Sequence, residues 1–235
     1  MSVSFLTDPV LSGRGVTHGF GVIGWPGPAG LIRPEQVHGI RVTRVAASES
    51  GLPAALPAQA DAIWSVAGGP PVGVVTADCV PILLGSEAGG HVAAIHAGWR
   101  GLAAGVIEAT LLALGRAGAP PGRLAAAIGP HAGPCCYEVD APVRAGFDRF
   151  GPATLQHAFR DHRPGHWMLD LGFLAREALL GAGLDGGAIG QIEEACTVCG
   201  VGRFESFRRD GAASGRLVHA VTPGDSAPPF ESDPS

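Results

Sequence analysis

The stretch Val72-Gly73-Val74-Val75-Thr76-Ala77-Asp78-Cys79-Val80-Pro81-Ile82-Leu83-Leu84, taken up again by His91-Val92-Ala93-Ala94-Ile95-His96-Ala97-Gly98-Trp99-Arg100-Gly101, decides the fold. Val72 to Val75, Pro81 to Leu84 and His91 to Ile95 are short continuous apolar runs with β-branched residues, which predicts strands buried on both faces. After His96-Ala97-Gly98 the spacing turns helical. Leu102, Val106, Thr110 and Ala113 share one stripe, and Ile107, Leu111 and Leu114 lie beside it, which predicts one helix from about Trp99 to Arg116. Gly118-Ala119-Pro120-Pro121 stops it, because proline lacks a donor and clashes with the preceding turn.

Working outward, Leu124 to Ile128 reads as the next strand, emptying into the turn-rich loop Gly129-Pro130-His131-Ala132-Gly133-Pro134 and then Cys135-Cys136-Tyr137. Asp140 is placed to cap a helix running to about Phe150, and Leu169 to Gly183 reads as another. Gln191 to Ala195, Phe204 to Phe207 and Leu217 to Val221 read as late strands, and Pro223 to Ser235 as a disordered tail. Strands and helices alternate without a fixed period or a strong linker, which predicts an α/β chain with one domain over residues 1–222.

Composition narrows the class. The chain has 235 residues, 46% hydrophobic and 16% charged, enough for one sizeable core. Its 37 glycines and 20 prolines follow no collagen period and imply many turns. All 16 cationic side chains are arginine, so lysine Schiff-base chemistry is ruled out, and a net charge of -5 speaks against a nucleic-acid footprint. The opening residues lack the charged and apolar regions of a secretory signal. The longest membrane candidate, Gly101 to Gly115, is interrupted by Glu108 and falls short of the roughly 20 residues a bilayer demands. Five cysteines, an odd number, then argue for thiols or metal ligands in a reducing compartment, and the expected location is the cytoplasm.

Three residues at strand ends invite a metal reading. His38 in Gln36-Val37-His38-Gly39, Cys79 and His96 make a mixed nitrogen and sulfur set suited to zinc, and three protein ligands leave a fourth position open, as in catalytic sites. Gaps of 41 and 17 residues (38 to 79, 79 to 96) match no local zinc pattern. On the residues alone the alternative stands beside it: a small buried cysteine and two hydrogen-bonded loop histidines.

A resemblance adds to this. Gln36-Val37-His38-Gly39, Thr76 to Leu84, His96-Ala97-Gly98-Trp99-Arg100-Gly101, Ile128-Gly129-Pro130-His131-Ala132-Gly133-Pro134-Cys135-Cys136-Tyr137-Glu138-Val139, and Cys196-Thr197 followed by Phe204 to Arg209 occur in that order. Together these five motifs, spanning about Gln36 to Val221, resemble the family first named multicopper polyphenol oxidases or laccases, later described as purine nucleoside phosphorylases and as peptidoglycan editing factors. The resemblance implies a layered α/β (α+β) fold, mixed β-sheets flanked by helices, and one zinc ion on His38, Cys79 and His96. The chain departs from the family near its start. Thr17-His18-Gly19-Phe20 resembles the family's opening, but the Arg-Gly-Gly element and the Asn-Arg pair are missing, and only fifteen residues separate Phe20 from Gln36. If that stretch holds phosphate or nucleoside in relatives, Arg33 is the residue here that could replace it.

Such a zinc site would lower the pKa of bound water toward ~7 and polarise a bound atom. Asp78 would act as general acid or base if a bulge or strand end turns it into the site; otherwise it caps a turn or orients a ligand. Arg100, opening the helix after His96, can receive an anion together with backbone N–H groups, or pair with a carboxylate. Arg208 and Arg209 face the same choice. Cys135-Cys136 and Cys196-Thr197-Val198-Cys199 can be a redox set, half a zinc site, Cys136 approaching the zinc pocket, or simple packing; a second C-x-x-C and a thioredoxin context are absent. His131 is a candidate substrate contact, His157, His162 and His166 a polar surface segment, and Trp99, Tyr137 and Phe207 candidate stacking rings.

The leading functional expectation is a zinc-dependent purine nucleoside phosphorylase acting on adenosine, inosine or guanosine and phosphate, with adenosine deamination as a further activity. Copper-dependent phenol oxidation is weaker, since the nine histidines include no His-X-His pair, although copper would bind an N/S site in vitro. Hydrolytic editing of a peptidoglycan precursor and a non-catalytic zinc-binding role complete the set. The expected partners are a small nucleoside and phosphate, with no nucleic acid and no membrane.

Overall fold

The computed structural model describes residues 5–45 and 59–224. In chain order its strands are β1 (Phe5–Leu6), β2 (Thr17–Gly21), β3 (Val42–Arg44), β4 (Ala62–Val66), β5 (Val72–Thr76), β6 (Val80–Ser86) and β7 (His91–Ala97). They continue with β8 (Leu124–Ile128), β9 (Glu138–Asp140), β10 (Phe159–Arg163), β11 (His166–Leu169), β12 (Ile189–Gln191) and β13 (Leu217–Thr222). The helices are α1 (Pro9–Gly13), α2 (Trp99–Ala104), α3 (Val106–Arg116), α4 (Ala141–Ala145), α5 (Pro152–Ala158), α6 (Leu171–Gly181) and α7 (Phe207–Asp210).

A six-stranded mixed sheet, ordered β12-β8-β6-β7-β4-β3, has parallel pairs at both ends and antiparallel pairs between. An antiparallel sheet, β1-β2-β13-β5, covers one face, and α2, α3 and α6 cover the other. The period of two along each strand sorts its side chains between two cores. Val80, Ile82 and Leu84 point to the helices while Leu83 points to the second sheet, and Ala93 and Ile95 oppose Val92 and Ala94 in the same way. Both faces are buried, which is why these segments read as continuous apolar runs. A third antiparallel sheet, β10-β11-β9, flanks the site end. The fold is therefore a layered α/β arrangement of mixed and antiparallel sheets with helices.

Four predicted elements take a different form. The helix from Trp99 to Arg116 is broken at Gly105, whose left-handed φ of 97° ends α2 and starts α3. The helix from Asp140 to Phe150 stops after Ala145, and the turns that follow bury Phe147 in the main core and bring Arg149 to the Leu102 carbonyl. Gln191 to Ala195 is not a strand, because β12 ends at Gln191 and Glu194 turns the chain at a φ of 50°. Phe204 to Phe207 is not a strand: Phe204 is buried at a bend against Ala195 and Leu217, Ser206 caps α7, and Phe207 opens that helix. Residues 225–235, most of the expected tail, lie outside the described residues. Among the described residues no helix is long and apolar enough to cross a membrane.

Candidate functional site

The antiparallel register of β6 and β7 brings distant residues together. Val80 faces Ala97 and Pro81 faces His96, so Cys79, just before β6, arrives beside the end of β7. The loop carrying His38 is tied to the edge strand β5 by Gln36, whose side-chain amide donates to the Val75 carbonyl at 2.7 Å and accepts the Val75 N–H at 2.8 Å. Donor atoms of His38, Cys79 and His96 all lie within 4.8 Å of one another, with His38 Nε2 4.0 Å from Cys79 Sγ. His38 is exposed, Cys79 half-buried and His96 buried. Two imidazoles and one thiol converging this closely form a cluster compatible with metal binding.

Asp61 organises this triad, and no feature of the sequence singled it out. It is fully buried just before β4. Its carboxylate accepts the N–H groups of His38 at 2.8 Å and Gly39 at 2.6 Å, which fixes His38 at a left-handed φ of 59°. It also meets His96 Nδ1 at 2.8 Å, leaving Nε2 for the cluster, the arrangement by which carboxylates orient metal-binding histidines. Burial alone would raise the Asp61 carboxyl, but the bonds from His96 and Gly39 outweigh it and hold it below the ordinary carboxylate value. Burial likewise opposes charge at Cys79, yet His38 and His96 bring its thiol down to about 7. His96 is depressed by burial and raised more strongly by Asp61 and Cys79, to about 9. Cys79 and His96 thus shift each other in opposite directions, each favouring the charged form of its partner.

Asp78 occupies the turn between β5 and β6 with a φ of 86°, the strand end its sequence position required. Its carboxylate is engaged on both oxygens. Oδ1 accepts the Thr197 hydroxyl at 2.6 Å and Oδ2 accepts the Arg208 N–H at 2.6 Å, so Asp78 holds the 197 loop and α7 against the site.

A cavity of about 570 Å³ opens over the triad, lined by Asp78, Arg100, Arg208 and Arg216 among its polar residues and by Trp99, Tyr137 and Phe207 among its rings. The Arg100 guanidinium lies 4.4 Å from the Trp99 ring centre, and that of Arg208 lies 4.8 Å from Tyr137. Arg208 also donates to the Glu138 carbonyl at 2.7 Å. Arg209 is structural, bonding the carbonyls of Thr197 and Phe204 and the Asp210 carboxylate. Arg33 is exposed and outside this lining. His131 is buried, with Nδ1 2.8 Å from the Gly129 carbonyl, and lies outside the lining too. His162 and His166 flank Glu138, and His157 packs on Phe173. Cys135, Cys136, Cys196 and Cys199 gather in a separate group, so Cys136 does not join the triad.

Residues 22–223 match the model of the multi-copper polyphenol oxidoreductase laccase family, and the chain belongs to that family. It is 41% identical over 186 residues to a purine nucleoside phosphorylase of Xylella fastidiosa strain Temecula1, covering 78% of this chain and 68% of the relative. It is 34% identical over 195 residues to adenosine deaminase RL5 from an unknown prokaryotic organism, covering 81% and 74%. Among solved structures it resembles YlmD from Geobacillus stearothermophilus with a TM-score of 0.80 at 26% identity, covering 92% of this chain and 94% of that one. Its relatives carry enzyme names, and the family match over residues 22–223 includes His38, Cys79 and His96.

Proposed function

We propose that this chain is a zinc-dependent purine nucleoside phosphorylase, working in the cytoplasm on adenosine, inosine or guanosine. The observation that carries the reading is the cavity itself, where a two-histidine, one-cysteine triad faces three arginines and aromatic rings across one volume. A phosphorylase must hold an anion and a flat heterocycle together. Arg100, Arg208 and Arg216 supply the positive charge that a phosphate dianion needs, and Trp99, Tyr137 and Phe207 offer surfaces for a purine. A phosphate oxygen then forms the bond to the ribose anomeric carbon as the glycosidic bond breaks, and the base leaves with the electron pair and takes up a proton.

His38, Cys79 and His96 would hold the zinc, which when bound would supply Lewis acidity beside the cavity. Asp61 keeps His38 and His96 aimed, and Arg100 receives the anion. Asp78, with each oxygen already accepting a short hydrogen bond, supports a positioning role; proton transfer would need a further partner on an engaged oxygen. Phenol oxidation is disfavoured, since of the two candidate donor groups among the described residues only one contains histidine. The relative named adenosine deaminase favours deamination of adenosine as a second activity at the same triad.

The test is release of free base from adenosine and inosine, followed by chromatography with and without phosphate, on metal-quantified wild type, His38→Ala and Cys79→Ala. Phosphate-dependent release that disappears in both variants supports phosphorolysis. Folded, zinc-loaded protein that releases no base refutes it, and inosine formed from adenosine without phosphate assigns deamination instead.

A further inference from the structure

We propose a second metal centre in which Cys135, Cys136, Cys196 and Cys199 bind one zinc ion as four thiolates and clamp the wall of the cavity. The four sulfurs all lie within 4.8 Å of one another, with Cys199 Sγ 3.2 Å from Cys136 and 3.6 Å from Cys135. Zinc–sulfur bonds of about 2.3 Å in a tetrahedron place neighbouring sulfurs about 3.8 Å apart, in the middle of this range. An iron–sulfur cluster, whose ligands straddle several metal and sulfide atoms, would hold them farther apart. The set accounts for four of the five cysteines, and the fifth, Cys79, belongs to the triad.

The missing second C-x-x-C is supplied by the adjacent pair. Residues 129–137 and 195–200 run side by side, with the Thr197 N–H bonded to the His131 carbonyl at 2.9 Å and the Gly133 N–H aimed at Cys196 Sγ at 3.3 Å. An amide N–H directed at sulfur is a common outer partner of a thiolate ligand. A redox reading lacks its usual support, since Cys196 and Cys199 are followed by turns rather than by a helix whose N-terminus would activate a thiol.

Charge gives an independent argument. Four thiolates around a dication leave two negative charges, and each ligand loop carries an arginine on its carbonyls. Arg209 donates to Thr197 and Val198, inside the C-x-x-C, and Arg160 donates to Pro134, next to Cys135. Arg209 also pairs with the Asp210 carboxylate, so Arg160 is the guanidinium left to offset part of that excess. The centre also touches the cavity through sequence neighbours: Tyr137 follows Cys136 on the lining, and Thr197 follows Cys196 and bonds Asp78. Its role is to fix those two loops, whatever reaction the cavity performs.

The experiment is zinc quantification and zinc-edge X-ray absorption on the full chain purified anaerobically, beside Cys135→Ser/Cys199→Ser and His38→Ala. Two zincs per wild-type chain, averaging between two and three sulfurs each, with one lost in either variant, is the expected result. One zinc with four sulfurs, retained in His38→Ala, also supports this centre and counts against zinc at the triad. One zinc bearing a single sulfur overturns the proposal, as does iron or copper at the cysteines, or a denatured chain two hydrogens lighter because a disulfide has formed. The wild-type sulfur count decides the matter even if the double variant does not fold.

Discussion

Asp61 does not line the cavity, yet it holds both histidines of the triad, so its replacement reports on positioning alone. Asp61→Asn puts an amide N–H where an acceptor is needed, and zinc affinity at the triad should fall ~10- to 100-fold, read by chelator competition on protein with an unchanged circular dichroism spectrum. Unaltered affinity would remove Asp61 from this role. Gly98 matters for a different reason: a Cβ there would stand 2.9 Å from His38 Cδ2 and 3.1 Å from Cys79 Sγ. Gly98→Ala should push the donors apart and lower zinc occupancy in a folded protein; full occupancy would mean that the ring and thiol move aside freely. Cys79 and His96 were legible because they border apolar runs that fold as paired strands, whereas His38 follows the polar stretch Arg33-Pro34-Glu35-Gln36 and reaches them on a loop. Asp61 was not legible, because a carboxylate serving as an internal acceptor leaves no pattern in the residues around it.

At the scale of elements, β5, β6, β7 and β8 were legible because burial on both faces makes their runs largely apolar, and β13 because only His219 interrupts the apolar run from Leu217 to Val221. The hairpin β10-β11 was not, since Arg160, Asp161, His162 and Arg163 give it a polar, exposed strand held through pairing with β11. β4 was missed as well, although its alternation of Ala62 and Trp64 against Ile63 serves both cores. The break at Gly105 escaped because apolar spacing continues through it, while the backbone there needs a left-handed conformation that glycine alone adopts freely. Gly105→Ala should therefore cost about 1–2 kcal/mol in urea unfolding; no loss would show that a continuous helix is equally good. Asp170 caps α6 by accepting the Phe173 N–H at 2.8 Å, and Asp170→Ala should cost about 1 kcal/mol by the same measurement.

The whole molecule carries a pH dependence in its buried histidines. His219 lies on β13 between the two sheets, bonded through Nε2 to the Thr76 hydroxyl at 2.8 Å while Nδ1 has no partner among the described residues. Burial, helped by the charge on His96, pushes its pKa down to about 3 from an ordinary 6.5. His18 is held down chiefly by burial, and its Nε2 must stay unprotonated to accept the Asp8 N–H at 2.8 Å; burial also lowers His131. Above pH 6.5 these imidazoles are neutral both folded and unfolded and contribute nothing to the slope. Below it the unfolded chain takes up protons that the folded chain refuses, so stability falls as the pH drops from 6.5 toward 3. His96 acts in the opposite sense in metal-free protein, since a pKa raised to about 9 gives stability that is complete below 6.5 and lost as the pH rises through 9. It therefore adds no slope in the acid window. His219 alone should remove about 2 kcal/mol between pH 6.5 and pH 5. Urea unfolding of metal-free wild type and His219→Gln at both pH values separates that share, because the variant should lose less stability on acidification; equal losses would assign the acid sensitivity to His18 and His131.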